Sequence, residues 1–149
     1  MRAVVQRTKT ASVAVDGEVI ANISLGLTVL LGVGQDDNDQ DAWYLAEKVA
    51  KLRVFPDIDA KMNLSLLDIK GELLVISQFT IYGDCRKGRR PGFSSAASPE
   101  KAMKLYELFI QYCKEIGIKT SSGRFQADMT VNLVNYGPVT LLLDSKRQF

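Results

Sequence analysis

Leu73-Leu74-Val75-Ile76-Ser77-Gln78-Phe79-Thr80 is the stretch whose reading decides the fold. Its first half is an uninterrupted apolar run that reads as a buried strand. That strand runs directly into a serine, an amide and a threonine, and polar groups at the end of a buried strand need partners or a ligand. A second stretch, Asn135-Tyr136-Gly137-Pro138-Val139-Thr140, sets Gly-Pro between two strand-like runs. Chain direction or peptide geometry must be unusual there, because proline fixes φ and donates no hydrogen bond. The chain contains no histidine, so a Ser-His or Cys-His nucleophile cannot be assembled.

Working outward from residue 73, the pattern predicts strands at 2–7, 11–16 and 18–23, with Asp16-Gly17 as a hairpin turn, and an apolar run from Leu27 to Val33. Ala42, Leu45, Ala46, Val49 and Leu52 recur at helical spacing and predict a helix over about 40–53, capped by Asp39 or Asp41. Trp43 on it reads as a core or dimer-contact aromatic. A short strand at Asn63–Leu66, a strand at Glu72–Thr80 and a long loop from Gly83 to Ala97 follow. A second helix opens at Ser98-Pro99-Glu100 and stops at Gly117, with Ala102, Leu105, Tyr106, Phe109, Cys113 and Ile116 on its apolar face. Strands at about 124–135 and 139–144 close a mixed α/β arrangement.

Length and composition fit one domain: 149 residues, 46% hydrophobic, net charge +2. So small a charge does not announce a nucleic-acid binder, and any polyanion contact must come from local clustering. The dense cluster is Arg86, Lys87, Arg89 and Arg90, which reads either as a solvated loop or as a phosphate contact. The N-terminal strand lacks the character of a signal peptide and no apolar run reaches membrane-spanning length, so a soluble, cytoplasmic protein without a membrane partner is expected. Cys85 and Cys113 have neither metal-ligand nor disulfide spacing, and both read as free thiols.

The two stretches together resemble the signature pair of the D-aminoacyl-tRNA deacylases. Met1-Arg2-Ala3-Val4-Val5-Gln6-Arg7 is similar to that family's opening strand, Ala11-Ser12-Val13 with Val15-Asp16-Gly17-Glu18 to its first hairpin, and Lys61-Met62-Asn63-Leu64-Ser65 to a central loop. Lys87-Gly88-Arg89-Arg90-Pro91 is similar to its basic loop. The likeness runs from Met1 to about Ser145 and implies a single deacylase domain over 1–149. Three positions depart from the pattern: Ala60 and Gln126 stand where the family usually has glycine, and Tyr136 where an acidic residue often precedes Gly-Pro. They bear on local pocket shape.

The resemblance implies an α/β fold of mixed, partly barrel-like β-sheets with two covering helices. It implies a homodimer with active sites at the interface, acting on the ester between a D-amino acid, or misattached glycine, and the 3′ end of tRNA. Ser77, Gln78, Phe79 and Thr80 then form the catalytic segment. Backbone donors at Phe79-Thr80 or the Thr80 hydroxyl would stabilise charge on the carbonyl oxygen. Thr80 as a nucleophile stays open, although no base stands beside it in either motif, and the family view has water attack with help from the substrate's 2′-hydroxyl. Gly137-Pro138, cis in the family, would reject L side chains by projecting into the partner subunit's pocket, and Arg7 would fix it from beneath. Phe125 and Met129 would bind the terminal adenosine, where stacking is chemically sensible; core packing explains them equally well. Arg86, Lys87, Arg89 and Arg90 would contact tRNA. Asp128 and Asp144 are solitary carboxylates, so no metal and no cofactor is expected. A nucleic-acid-binding module without turnover and an editing domain for L-amino acids are the rival readings, and Arg7 beside an intact Gly137-Pro138 argues against the second.

Overall fold

A computed structural model describes Met1–Phe149. In chain order its elements are β1 (Arg2–Val15), β2 (Glu18–Ile23), β3 (Gly26–Gly32), α1 (Asp39–Lys51), β4 (Phe55–Pro56), β5 (Met62–Leu64), β6 (Glu72–Ser77), a 3-10 turn (Phe79–Tyr82), α2 (Pro99–Glu115), β7 (Lys119–Ser122) and β8 (Thr130–Asp144). The sheet follows the order β2-β1-β3-β6-β7, with β8 on the other side of β1; β3, β6 and β7 are mutually parallel.

The strand β1 organises the molecule because it is shared. Its first half pairs with β3 and its second half with β2, while β8 runs antiparallel along its whole length. One strand thus replaces the two expected at 2–7 and 11–16. Between the two expected segments lies a bulge, in which Thr8 pairs with Asn135 and Thr10 with Val134, leaving Lys9 over. The sheet curls there, so that β2 comes to touch β6 and β7, and a nearly closed, barrel-like sheet results. At the β1–β2 turn, Asp16 and Gly17 both have positive φ, +52° and +81°, as a two-residue hairpin requires.

The apolar run of β6 follows from its position. Leu73 and Val75 face the layer containing α1 and α2, whereas Leu74 and Ile76 face the inside of the curl with Ala11, Val13 and Ile23. A strand buried on both faces has no polar side to alternate. Each such side chain contributes roughly 1.5–3 kcal/mol by leaving water.

Several expected boundaries shift. The cap of α1 is Asn38, not Asp39 or Asp41; its side chain accepts from the Gln40 N–H at 2.9 Å, while Asp41 accepts from the Asn38 N–H at 2.8 Å in a reciprocal box. At α2 the expected Ser98 cap, leading Pro99 and trailing Gly117, at φ +103°, are all present. The short strand expected at 63–66 is Met62–Leu64. Residues 124–129 form a turn, not a strand, and β7 was hidden because Lys119-Thr-Ser-Ser carries no apolar alternation. Trp43 is 44% exposed and packs edge-on against Tyr112, so it is not core; Cys113 is buried and Cys85 exposed. No helix is long and apolar enough to cross a membrane.

Candidate active site

The C-terminal ends of β3 and β6 have no continuation in the sheet. The Gln78 N–H still reaches the Leu31 carbonyl at 2.8 Å, and beyond it the chain tightens into the Phe79–Tyr82 turn, closed by the Gly83 N–H on the Thr80 carbonyl at 2.9 Å. Thr80 is therefore in a turn and not at the end of a strand. Glycine at position 34 makes room for that turn, since a Cβ there would stand 2.7 Å from the Tyr82 hydroxyl. Tyr82 anchors it by donating to Asp37 at 3.2 Å. Burial, and next the Asp37 charge, hold its phenol far above the ordinary range.

Against these strand ends the Ala97 N–H bonds the Val33 carbonyl and the Gly123 N–H bonds the Val75 carbonyl, each at 3.0 Å. These bonds bring the start of α2 and the 123–129 segment over the sheet and enclose a cleft of about 590 Å³. Ser77, Gln78, Phe79, Phe125 and Met129 all line it, as does Asp128. Phe125 is held at 5.9 Å from the Tyr106 ring, and Tyr106 donates to the Val75 carbonyl at 2.9 Å. Burial pushes the Tyr106 phenol up to about 12, so it stays a neutral donor.

Thr80 stands outside the cleft lining and is exposed. Its hydroxyl oxygen accepts from the Gln78 amide, which leaves its own hydrogen free to donate. As the first residues of a 3-10 turn, Phe79 and Thr80 have N–H groups without an intrahelical acceptor, and Gln78 caps neither with its side chain. The local chemistry is that of hydrogen-bond donors.

Gly137 and Pro138 lie elsewhere. Between the pairs Gln6–Thr140 and Thr8–Asn135, Tyr136 to Val139 stand opposite Arg7 alone, so they leave the sheet as a bulge. The Gly137-Pro138 peptide is cis, Gly137 has φ +126°, and both residues are exposed. Arg7, only 7% exposed, donates to the Tyr136 carbonyl from Nε at 2.9 Å and to the Val54 carbonyl from Nη1. Arg7 pairs with Leu27, whereas the cleft residue Leu31 pairs with Ala3. Four strand positions separate them, roughly 13 Å. None of Tyr136 to Val139 lines the cleft of its own chain.

The basic loop is closed by two backbone bonds between Asp84 and Gly92, at 2.7 and 3.0 Å. Arg86 is committed to Asp84 through a two-point contact at 2.9 and 2.7 Å, and hydrogen bonds from its side chain and backbone hold the Asp84 carboxyl well below the usual range. Lys87, Arg89 and Arg90 are exposed and make no ion pair. No three carboxylate or thiol groups gather at metal-binding distance. The sequence reading missed the contributions of Ala97, Pro99 and Ala102 to the cleft and the Tyr136 ring over Arg7. The only signal for the latter was that Tyr136 departs from an expected acidic residue.

Fold and cleft define a class: a small mixed α/β protein with a barrel-like sheet, two covering helices and a donor-rich turn over a half-apolar cleft. Comparison with known proteins identifies the class further. The model of the D-Tyr-tRNA(Tyr) deacylase family matches residues 4–144. D-aminoacyl-tRNA deacylases of Thermosipho africanus and Clostridium beijerinckii are 61% and 58% identical over 149 residues, covering 100% of both chains in each case. Among solved structures, one described as c-Myc DNA Unwinding Element Binding Protein superposes with TM-score 0.92 at 37% identity, covering 97% of this chain and 98% of that one. A probable eukaryotic D-amino acid tRNA deacylase shares the fold with TM-score 0.82 at 15% identity, covering 95% of this chain and 97% of its own. The chain belongs to the D-aminoacyl-tRNA deacylase family, a family of hydrolases.

Proposed function

We propose that residues 1–149 act as one cytoplasmic deacylase domain that discriminates chirality, cleaving the ester of D-aminoacyl-tRNA, and of misattached glycine, while sparing L-aminoacyl-tRNA. The observation that carries this reading is the Gly137-Pro138 bulge, exposed, held on a buried Arg7 and outside the lining of its own chain's cleft. Such a bulge serves the cleft of a second copy, so the active species is a homodimer with two interfacial sites. There the bulge occupies the space an L side chain needs, and glycine, having no side chain, passes.

In the cleft, Phe125 and Met129 offer an aromatic and a soft apolar surface to the terminal adenosine. Ser77 and Gln78 hold the ester, and the Phe79–Thr80 donors receive the carbonyl oxygen as it turns negative, at about 3–4 kcal/mol for a well-placed donor. Water adds to the carbonyl carbon, the bond to the ribose 3′-oxygen breaks, and the water's proton ends on that oxygen with the substrate's 2′-hydroxyl as relay. Asp128 is the one acid–base side chain in the cleft lining, and a site so poor in such groups suits this sequence, because orientation and charge stabilisation do the catalysis. Lys87, Arg89 and Arg90 meet tRNA phosphates; Arg86 shapes their loop.

The solved relative described as a DNA unwinding element binding protein and the three unpaired cations favour a second reading, a nucleic-acid-binding module without turnover. Incubating the chain with a molar excess of D-tyrosyl-tRNA separates the two. Repeated release of D-tyrosine and free tRNA is expected, and retention of the intact ester in a stable complex would favour the binding module.

A further inference from the structure

The Arg7 guanidinium is buried and no carboxylate lies within ion-pair distance of it. A buried charge in that position is costly unless other groups meet it. Two backbone carbonyls do so, from Tyr136 and Val54. The third partner is an aromatic face: the Tyr136 ring lies 4.3 Å from the guanidinium carbon, with the Lys9 ammonium 5.3 Å from the same ring. The remaining nitrogen, Nη2, stands against Gly137, 2.6 Å from where a Cβ would be.

Tyr136 thus holds Arg7 twice, by its carbonyl and by its ring, and Arg7 in turn bounds the position of Gly137. A cation–π contact to a desolvated guanidinium is directional and leaves the guanidinium hydrogens free for the two carbonyls. We infer that the Tyr136 ring is a positioning residue for chiral discrimination: it locks the Arg7 guanidinium under the Gly137-Pro138 bulge and thereby fixes how far that bulge projects. The inference deepens the proposed function and rests on the bulge being the element that rejects L side chains.

The test compares wild type, Tyr136→Phe and Tyr136→Leu for kcat/KM on D- and L-tyrosyl-tRNA, and records the Arg7 Nε–H resonance by NMR in the same three proteins. Leucine keeps apolar bulk but has no π face. Tyr136→Leu is expected to lower the D-over-L ratio about tenfold, the order of one desolvated cation–π contact, and to abolish the ring-current shift and slow exchange of the Arg7 Nε–H. Tyr136→Phe, which keeps the ring, is expected to restore both. A ratio unchanged in Tyr136→Leu, or one lost equally in Tyr136→Phe, would overturn the inference. If wild type itself fails to discriminate, it is the proposed function that falls, while the Arg7 resonance still reports whether the ring holds the guanidinium. Should Tyr136→Leu not fold, Tyr136→Met replaces it: lacking a π face it must lower the D-over-L ratio as leucine would, and a ratio at the wild-type value would overturn the inference.

Discussion

Arg7 Nη2 stands where a side chain on residue 137 would begin: a Cβ built on Gly137 meets it at 2.6 Å and meets Val139 Cγ2 at 2.9 Å. The bulge and the buried guanidinium are in contact, and only glycine allows it at φ +126°. Gly137→Ala must displace Arg7 or the bulge, at a cost of about 1–3 kcal/mol from backbone strain alone. A fall in Tm with at least a tenfold loss of D-tyrosyl-tRNA hydrolysis is expected from calorimetry and a deacylation assay. Wild-type stability and activity would show that the contact is loose.

The proposed role of Thr80 is to offer a hydrogen, not to act as a nucleophile. Its oxygen is already engaged by the Gln78 amide, and no histidine exists in the chain to take its proton. Thr80→Ala should therefore cost at most about 10²–10³-fold in kcat, as for one lost oxyanion donor. Rapid quench followed by mass spectrometry should find no aminoacyl-Thr80 adduct, and its detection would replace water attack by covalent catalysis.

In the basic loop, Arg89 and Arg90 are the free arms, and Arg86 is stapled to Asp84. Replacing Arg89 and Arg90 together by alanine should reduce the slope of log affinity against log salt for tRNA by roughly 2, one per phosphate contact. The D-over-L ratio should not move, because phosphate contacts position without reading the amino acid. Filter binding between low and physiological salt measures the slope, and an unchanged slope returns the loop to solvent.

Asp41 ties the start of α1 to the C-terminal segment. Burial opposes its charge, but the Lys146 ammonium at 2.8 Å, the Ser145 hydroxyl and the Asn38 N–H outweigh it and leave the folded pKa below the ordinary 3.8. A depressed carboxyl pKa adds stability that is present above the unfolded value and is lost as pH falls through the folded one. Asp41→Asn should thus cost about 1–2 kcal/mol at pH 7, and the gap to wild type should begin to narrow below pH ~4 and close only as pH passes the lowered folded value. Urea melts from pH 7 down through the acid range check this; a gap that does not narrow at all as pH falls would assign the effect to packing.

Much of this was legible in the chain. The buried strand 73–76, the Ser98-Pro99 and Gly117 helix boundaries and the Asp16-Gly17 turn follow from local chemistry, and the structure places them where the residues put them. The continuity of β1 was not legible, because a bulge at Lys9 depends on the register with β8, which no local pattern encodes. The Phe79–Tyr82 turn was hidden for a related reason: strand propensity continues through Phe-Thr-Ile-Tyr, but β3 offers no partner beyond Leu31. Ala60 and Gln126, the two positions that lack the family's glycine, both have left-handed backbones, φ +58° and +60°. Glycine takes that conformation freely, whereas these two residues hold it against roughly 1–2 kcal/mol of strain at each position.

The central claim is chiral discrimination by a bulge set on Arg7, and it meets its most direct test in one comparison: kcat/KM for hydrolysis of D-tyrosyl-tRNA and L-tyrosyl-tRNA, prepared on the same tRNA and assayed side by side. The account predicts rapid release of D-tyrosine, with the L ester decaying only at its uncatalysed rate. Equal rates on the two enantiomers would contradict it.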